Sequence, residues 1–184
     1  MASKLSIVFS NNPLLKYPLL SEAAAVEFST AAYEQASINN IIEKSDISKG
    51  SIYHHFGDKF GLFLSIVDIA LSALGKYFAG ITTDLGIINN LSVILNVMCL
   101  FAKNEVEAYA VLKRLFDSDE LCGRVFEYIP FDGMQKLENM FASGGLKHPS
   151  ETCFYLFKLV LLNLDRQQIA SNTDVVMGII KNGI

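Results

Sequence analysis

The chain has 184 residues, of which 51% are hydrophobic and 18% charged, and its formal net charge is −4. There is ample material for a core in one large or two small domains, and the charge balance gives no sign of nucleic-acid binding. Three widely spaced cysteines (Cys99, Cys122 and Cys153) without a C-x-x-C pair argue against a disulfide framework or a cysteine metal site. Only four prolines and no Trp are present. Strand-like alternation is scarce and helical periodicities are many, so the pattern predicts an all-α fold.

In chain order, residues 1–16 read as an irregular arm whose cations are Lys4 and Lys16. It lacks the long apolar run and small-residue cleavage site of a signal peptide. Pro18 suits the first turn of a helix. Leu20, Ala24, Phe28 and Ala31 then form one apolar stripe, with Glu22 and Glu27 expected to face away.

The most informative stretch is Ser37 to Lys59, SINNIIEKSDISKGSIYHHFGDK. Ser37 is suited to cap a short helix whose inner face carries Ile38, Ile41 and Ile42. Asp46 sits where a turn is expected. Ser48 caps a second short helix through His54, and Gly57-Asp58 breaks it. Asp58 in turn caps a long apolar helix to about Phe78, with Phe63, Val67, Ala70, Leu74 and Tyr77 along one side. Gly61 and Gly75 are expected to weaken that helix near both ends.

Gly80 to Asn90 reads as a loop or frayed turn, and Leu91 to Ala102 as a strongly apolar helix. The uncharged run from Leu85 to Ala102 is nearly long enough to span a membrane. Its interruption by Asn89, Asn90, Ser92 and Asn96 favours a buried helix. Further helices are predicted over Glu105 to Ser118, with rows through Val106, Tyr109, Ala110, Lys113 and Phe116, and over Leu121 to Tyr128. Phe131 to Ala142 reads as amphipathic and ends at Ser143-Gly144-Gly145. Pro149 to about Asp165 and Val175 to Ile180 close the chain.

The residues from Leu20 to Leu62 resemble the DNA-binding head of the TetR family of bacterial repressors. The match is carried by Ala24, Phe28, Tyr33, Ser37-Ile38, Ile41, Ile47-Ser48, KGSIYHHF (Lys49 to Phe56), Asp58-Lys59 and Leu62. It covers about a third of the chain, and Ser48 to Lys59 is its specific part. Ala32 and Asp46 stand where the family usually has Gly, and Ile42 where it usually has Ala. The Arg common in the first turn of the second helix is replaced by Asn39 and Asn40. An Ala in a left-handed cap costs roughly 1 kcal/mol, so the first turn is expected to be built differently.

The resemblance implies a three-helix helix-turn-helix head over residues 1–57 and a ligand-binding and dimerisation body over 58–184. It further implies a cytoplasmic, ligand-responsive repressor that binds a near-palindromic operator in double-stranded DNA as a homodimer. The two C-terminal helices would form the dimer. A helix-turn-helix lays its second helix in the major groove. Base reading is therefore expected from Ser48, Lys49, Gly50 and Ser51, and phosphate or backbone contact from Ser37, Asn39, Tyr53, His54 and Lys59.

The head carries five Lys, no Arg and six acidic residues in its first 60 positions. Modest, salt-sensitive DNA affinity is expected. The alternative is a dimeric sensor that has lost DNA binding and acts through a protein partner. For an inducer, Asn96, Cys99, Tyr109 and Arg114 are the polar residues in apolar rows of the body that could line a pocket. No catalytic motif, metal cluster or cofactor fingerprint is present, and no enzymatic activity is expected. His54 and His55 are adjacent on a helix, point about 100° apart and do not share one small site.

Overall fold

The computed structural model describes residues 12–79, 87–129, 139 and 149–163, and among the described residues every regular element is helical. A 3-10 turn (Pro13–Lys16) leads into α1 (Pro18–Thr30), α2 (Ile38–Glu43), α3 (Lys49–Phe56) and α4 (Lys59–Phe78). These are followed by α5 (Ile87–Asn104), α6 (Val106–Asp117), α7 (Asp119–Phe126) and α8 (Pro149–Asn163). The chain separates into two compact units. One combines Met1–Ser72 with Glu107–Pro130, and the other combines Ala73–Val106 with Phe131–Ile184.

In the first unit, Pro18 opens α1 where its missing N–H would have no helical partner. Leu20, Ala24 and Phe28 are buried along one stripe, as the 3.6-residue period predicts. Phe28 meets Phe63 of α4 edge-on at 5.0 Å between ring centres, and Tyr33 lies 5.1 Å from the same ring. Ile41 of α2, Ile52 of α3, and Leu62 and Val67 of α4 are buried around them. Leu112, Leu115 and Phe116 of α6 and Val125 of α7 are buried too.

The arm is more ordered at its end than the sequence suggested. Asn12 is buried and donates through Nδ2 to the carbonyl of Ser65 at 2.8 Å and to Asp68 Oδ2 at 2.9 Å. Its Oδ1 accepts from the N–H of Leu14 at 3.0 Å, starting the 3-10 turn. Burial pushes the Asp68 carboxyl above its ordinary range, and the Asn12 hydrogen bond pulls the other way. Among the described residues Asp68 Oδ1 has no hydrogen-bond partner.

The tight connections avoid left-handed residues, as expected for a chain with Ala32 and Asp46 at its turns. Among the described residues only Gly57 has a positive φ, at 79°. After α1, Ala31 is extended, and Arg114 of α6 covers the helix end. Its Nε and a terminal guanidinium nitrogen donate to the carbonyls of Ser29 and Thr30, each at 3.3 Å. Between α2 and α3 the side chain of Ser45 folds back to the carbonyl of Ile41 at 2.8 Å, and the N–H of Ile47 reaches the carbonyl of Ser45. Gly61 is required by space. A Cβ there would fall on the carbonyl oxygen of Phe56, so the residue lets the start of α4 approach the end of α3.

In the second unit, α5 begins at Ile87, inside the stretch expected to be a loop. Ile94, Leu95, Met98, Cys99, Phe101 and Ala102 are buried along it, while Asn96 and Leu100 are exposed. Tyr77 packs edge-on to Phe101 at 5.6 Å and donates to Glu105 at 3.3 Å. On α8, Phe157, Val160 and Leu161 are buried. Tyr155 and Leu159, one helical turn apart, are 68% and 52% exposed. Residues 131–138 and 140–142, and the closing helix expected over 175–180, lie outside the described residues, as does the arm before Asn12.

By length and composition α4 could cross a membrane, but most of it is buried inside the protein. The buried row of α6 runs through Tyr109, Leu112 and Phe116 with Val111 and Leu115 beside it. Lys113, expected on that row, is only half-buried.

Candidate nucleic-acid interface

Helix α3 forms because Ser48 caps it. The Ser48 hydroxyl accepts from the N–H of Ser51 at 3.1 Å and lies 3.0 Å from the Ser51 hydroxyl. Ile52 and Phe56, four residues apart, are 1% and 8% exposed and hold the helix down. The same four-residue spacing sends Lys49 and Tyr53, and beside them Gly50 and His54, to the opposite face, where all four are exposed. The structure therefore brings Ser48, Lys49, Gly50, Tyr53 and His54 onto one solvent-facing surface, with Ser51 at its edge.

A Cβ built on Gly50 would touch only the Ser48 hydroxyl, at 3.8 Å. Nothing inside the protein requires glycine there. Its effect is outward, because it leaves the face of α3 flat between Lys49 and Tyr53.

Helix α2 stands beside this face. Ser37 caps it, accepting weakly from the N–H of Asn40 at 3.5 Å, and Asn39 is exposed. Its position is set by a residue that the sequence reading turned the wrong way. Glu27 is 7% exposed, and its Oε1 accepts from the N–H of Ser37 at 2.8 Å and from Asn40 Nδ2 at 3.2 Å. It faces inward because an N–H and an amide at the start of α2 need an acceptor. The signal was present: Glu27 follows Leu20 by seven residues and adjoins Phe28, on the margin of the apolar stripe.

Lys59, expected at a DNA phosphate, has its ammonium on the protein in this structure: Nζ donates to the carbonyls of Tyr33 at 2.8 Å, Glu34 at 3.1 Å and Ala36 at 3.1 Å. An ammonium has three N–H donors, and all three are engaged. It also lies 4.8 Å over the Tyr33 ring. Burial raises the Tyr33 hydroxyl above its usual range, against the lowering effect of the Arg124 charge; Asp58 and Glu34 raise it further.

Both histidines of α3 are exposed, and His55 Nε2 lies 2.9 Å from the hydroxyl of Tyr17, tying the end of α3 to the start of α1. Among the described residues no group of three or more His, Cys, Asp or Glu side chains could hold a metal ion.

The four residues considered for an inducer pocket are divided between the two compact units. Asn96 and Cys99 belong to one compact unit, Tyr109 and Arg114 to the other. Asn96 is exposed, and Arg114 is exposed with its guanidinium on the carbonyls that end α1. Cys99 and Tyr109 are buried.

Comparison with known proteins points the same way as this geometry. The sequence profile described as "Bacterial regulatory proteins, tetR family" matches residues 20–66. Two curated relatives, each the HTH-type transcriptional repressor AcnR, come from Corynebacterium efficiens and Corynebacterium glutamicum. Each is 34% identical over 62 residues, which is 34% of this chain and 33% of the relative. The chain thus matches about a third of the length of these relatives.

Solved structures match over much more of the chain. The fatty acid degradation regulator FadR from Bacillus halodurans superposes with a TM-score of 0.68 at 15% identity, covering 92% of this chain and 96% of that one. A transcriptional regulator from Aquifex aeolicus gives 0.59 at 16% identity, covering 89% and 98%. A TetR family regulator from Chloroflexus aurantiacus gives 0.56 at 18% identity, covering 93% and 88%.

Proposed function

We infer that this chain, whose residues 20–66 match the tetR family of bacterial regulatory proteins, is a member of that family and a DNA-binding transcriptional repressor that acts as a dimer in the cytoplasm and is released by a small molecule. The observation that carries the reading is the face of α3. Ile52 and Phe56 anchor it from below, and Ser48, Lys49, Gly50, Tyr53 and His54 look outward. On this reading the head of the protein, residues 1–57, lays α3 in the major groove. Ser48, Lys49 and Ser51 meet base edges, and the flat surface at Gly50 allows the close approach. Tyr53 and His54 flank them at phosphates, with Ser37 and Asn39 on the α2 side.

Lys59 acts as a positioning residue, because it holds the α1–α2 connection on which Ser37 stands. The body, residues 58–184, supplies the dimer and the ligand site. Exposed Tyr155 and Leu159 on α8 support a dimer contact on that helix, since apolar side chains one turn apart make a stripe that a second copy can cover. The inducer is a small molecule.

The test is selection of bound sequences from a random duplex pool at about 50 mM salt, where the electrostatic part of binding is still strong. An enriched motif of two half-sites is expected, and its loss in Lys49→Ala at one or two base positions would assign that reader. A pool that emerges unenriched, from protein shown to be dimeric, would overturn the repressor reading.

A further inference from the structure

The unit that carries α3 has an open groove of about 390 Å³ beside the C-terminal end of that helix. Phe56, Phe60 and Leu64 line it from α3 and α4, Arg124 and Tyr128 from α7 and its end, and Asp58 from the connection between α3 and α4. The Arg124 guanidinium lies 3.8 Å over the Phe60 ring, and the Tyr128 ring meets Phe60 edge-on at 5.7 Å. Arg124 is exposed, and among the described residues its guanidinium has no hydrogen-bond or ion-pair partner.

That combination is unusual for a structural arginine. Arg114, on the neighbouring helix, uses its guanidinium on two carbonyls. Arg124 instead lies over an aromatic ring, a contact that restrains the group and leaves its five N–H donors open. A fork held in this way is suited to a carboxylate in the same plane. Asp58 is fixed as well, because its Oδ1 accepts from the N–H of Gly61 at 2.8 Å. The groove therefore offers a fixed cation, a fixed carboxylate and aromatic walls, in a volume within the range of small-molecule sites.

We propose that this groove binds a small aromatic acid bearing a ring hydroxyl or amino group. The carboxylate pairs with Arg124, the ring lies against Phe56 and Tyr128, and the hydroxyl or amine donates to Asp58. An aliphatic acid lacks the ring for the aromatic walls, and a simple inorganic anion would meet repulsion from Asp58 without compensation. The site is separate from the outward face of α3. It also differs from the inducer pocket considered in the body, because none of Asn96, Cys99, Tyr109 or Arg114 lines it.

The test is a titration of the full-length protein with 4-hydroxybenzoate, followed by the imidazole proton resonances of its three histidines. His55 lines the groove and reports occupancy. A saturable shift of His55 is expected, with a Kd of about 1 mM for a ligand of this size. Arg124→Ala should weaken it about tenfold, the loss of one charge-assisted pair. Asp58→Asn, which retains an oxygen for the Gly61 cap, should weaken 4-hydroxybenzoate but tighten benzoate, which no longer meets the Asp58 charge. Tyr128→Ala should weaken both.

An unsaturable shift would overturn the proposal. So would an equal response to inorganic phosphate, or an Arg124→Ala variant that is folded by its wild-type spectrum and binds as before. Binding is read without DNA, so its failure and that of the repressor reading are independent.

Discussion

Glu27 and Lys59 fasten the connection between α1 and α2 from opposite sides. The carboxylate takes the N–H of Ser37, and the ammonium takes the carbonyls of Tyr33, Glu34 and Ala36. The two charges do different things to a DNA strand passing over Ser37 and Asn39. Lys59 has its donors turned inward, while Glu27 holds a negative charge directly beneath the segment. Glu27→Gln keeps an oxygen for the Ser37 N–H and removes the charge. It is expected to tighten DNA binding about threefold at low salt, with the gain shrinking as salt screens the phosphates. A fluorescence-anisotropy titration at two salt concentrations measures it, and equal affinities for the two proteins would show that the charge is not felt.

Asp68 gives a prediction about stability. Its carboxyl is raised in the folded protein above the ordinary value of 3.8, chiefly by burial. The ionised form is therefore disfavoured by folding. Stability from this group is lowest above the folded pKa, grows as pH falls through it, and levels off below 3.8. Asp68→Asn should raise Tm at pH 7, and the advantage should disappear at a pH below 3.8. A pair of thermal melts at the two pH values checks the sign.

At the scale of the element, α3 shows how surface and stability separate within eight residues. Gly50 is the weakest helix former in α3, and nothing in the protein needs it. Gly50→Ala is expected to stabilise the free protein slightly, by at most about 1 kcal/mol, while weakening DNA binding about tenfold, on the order of 1.4 kcal/mol. Thermal melting and DNA titration of the same variant test the two halves. A variant that bound DNA as well as the parent would remove α3 from the interface.

The caps of α2, α3 and α4 were legible from residue type alone: Ser37, Ser48 and Asp58 all accept the backbone N–H that their positions predict. The apolar spacing of α1 and α4 was legible for the same local reason. Glu27, Lys59 and Arg114 were not, because each answers a need created by a distant segment. Glu27 acts ten residues away, Lys59 more than twenty and Arg114 more than eighty. Gly61 was read as a weak point of α4, whereas space beside Phe56 requires it. A helical pattern carries no record of which backbone will pass against it.

For the molecule as a whole, the compact unit bearing α3 is assembled from two separated stretches, Met1–Ser72 and Glu107–Pro130. Head chemistry is thus partly supplied from outside the first sixty residues. Sequence reading counted no arginine there, yet Arg114 and Arg124 both fold into the same unit. Arg114 closes the end of α1, and Arg124 sits on Phe60. A fragment ending at residue 72 should therefore show less helix by circular dichroism, and melt at lower temperature, than one ending at residue 130. Equal melting would mean that α6 and α7 add nothing to the unit.

The split also has a consequence in time. On the ribosome, α1 to α4 emerge first, and the segment that covers the end of α1 follows after roughly 3–12 seconds of further synthesis. Through that interval the carbonyls of Ser29 and Thr30 lack Arg114, and the apolar faces that meet α6 stay open to water. Transiently exposed apolar surface of this kind is prone to aggregation. Translation speed through codon 130 and the stretch that must follow before residue 130 leaves the ribosome is expected to affect yield, because slow codons there lengthen the exposure.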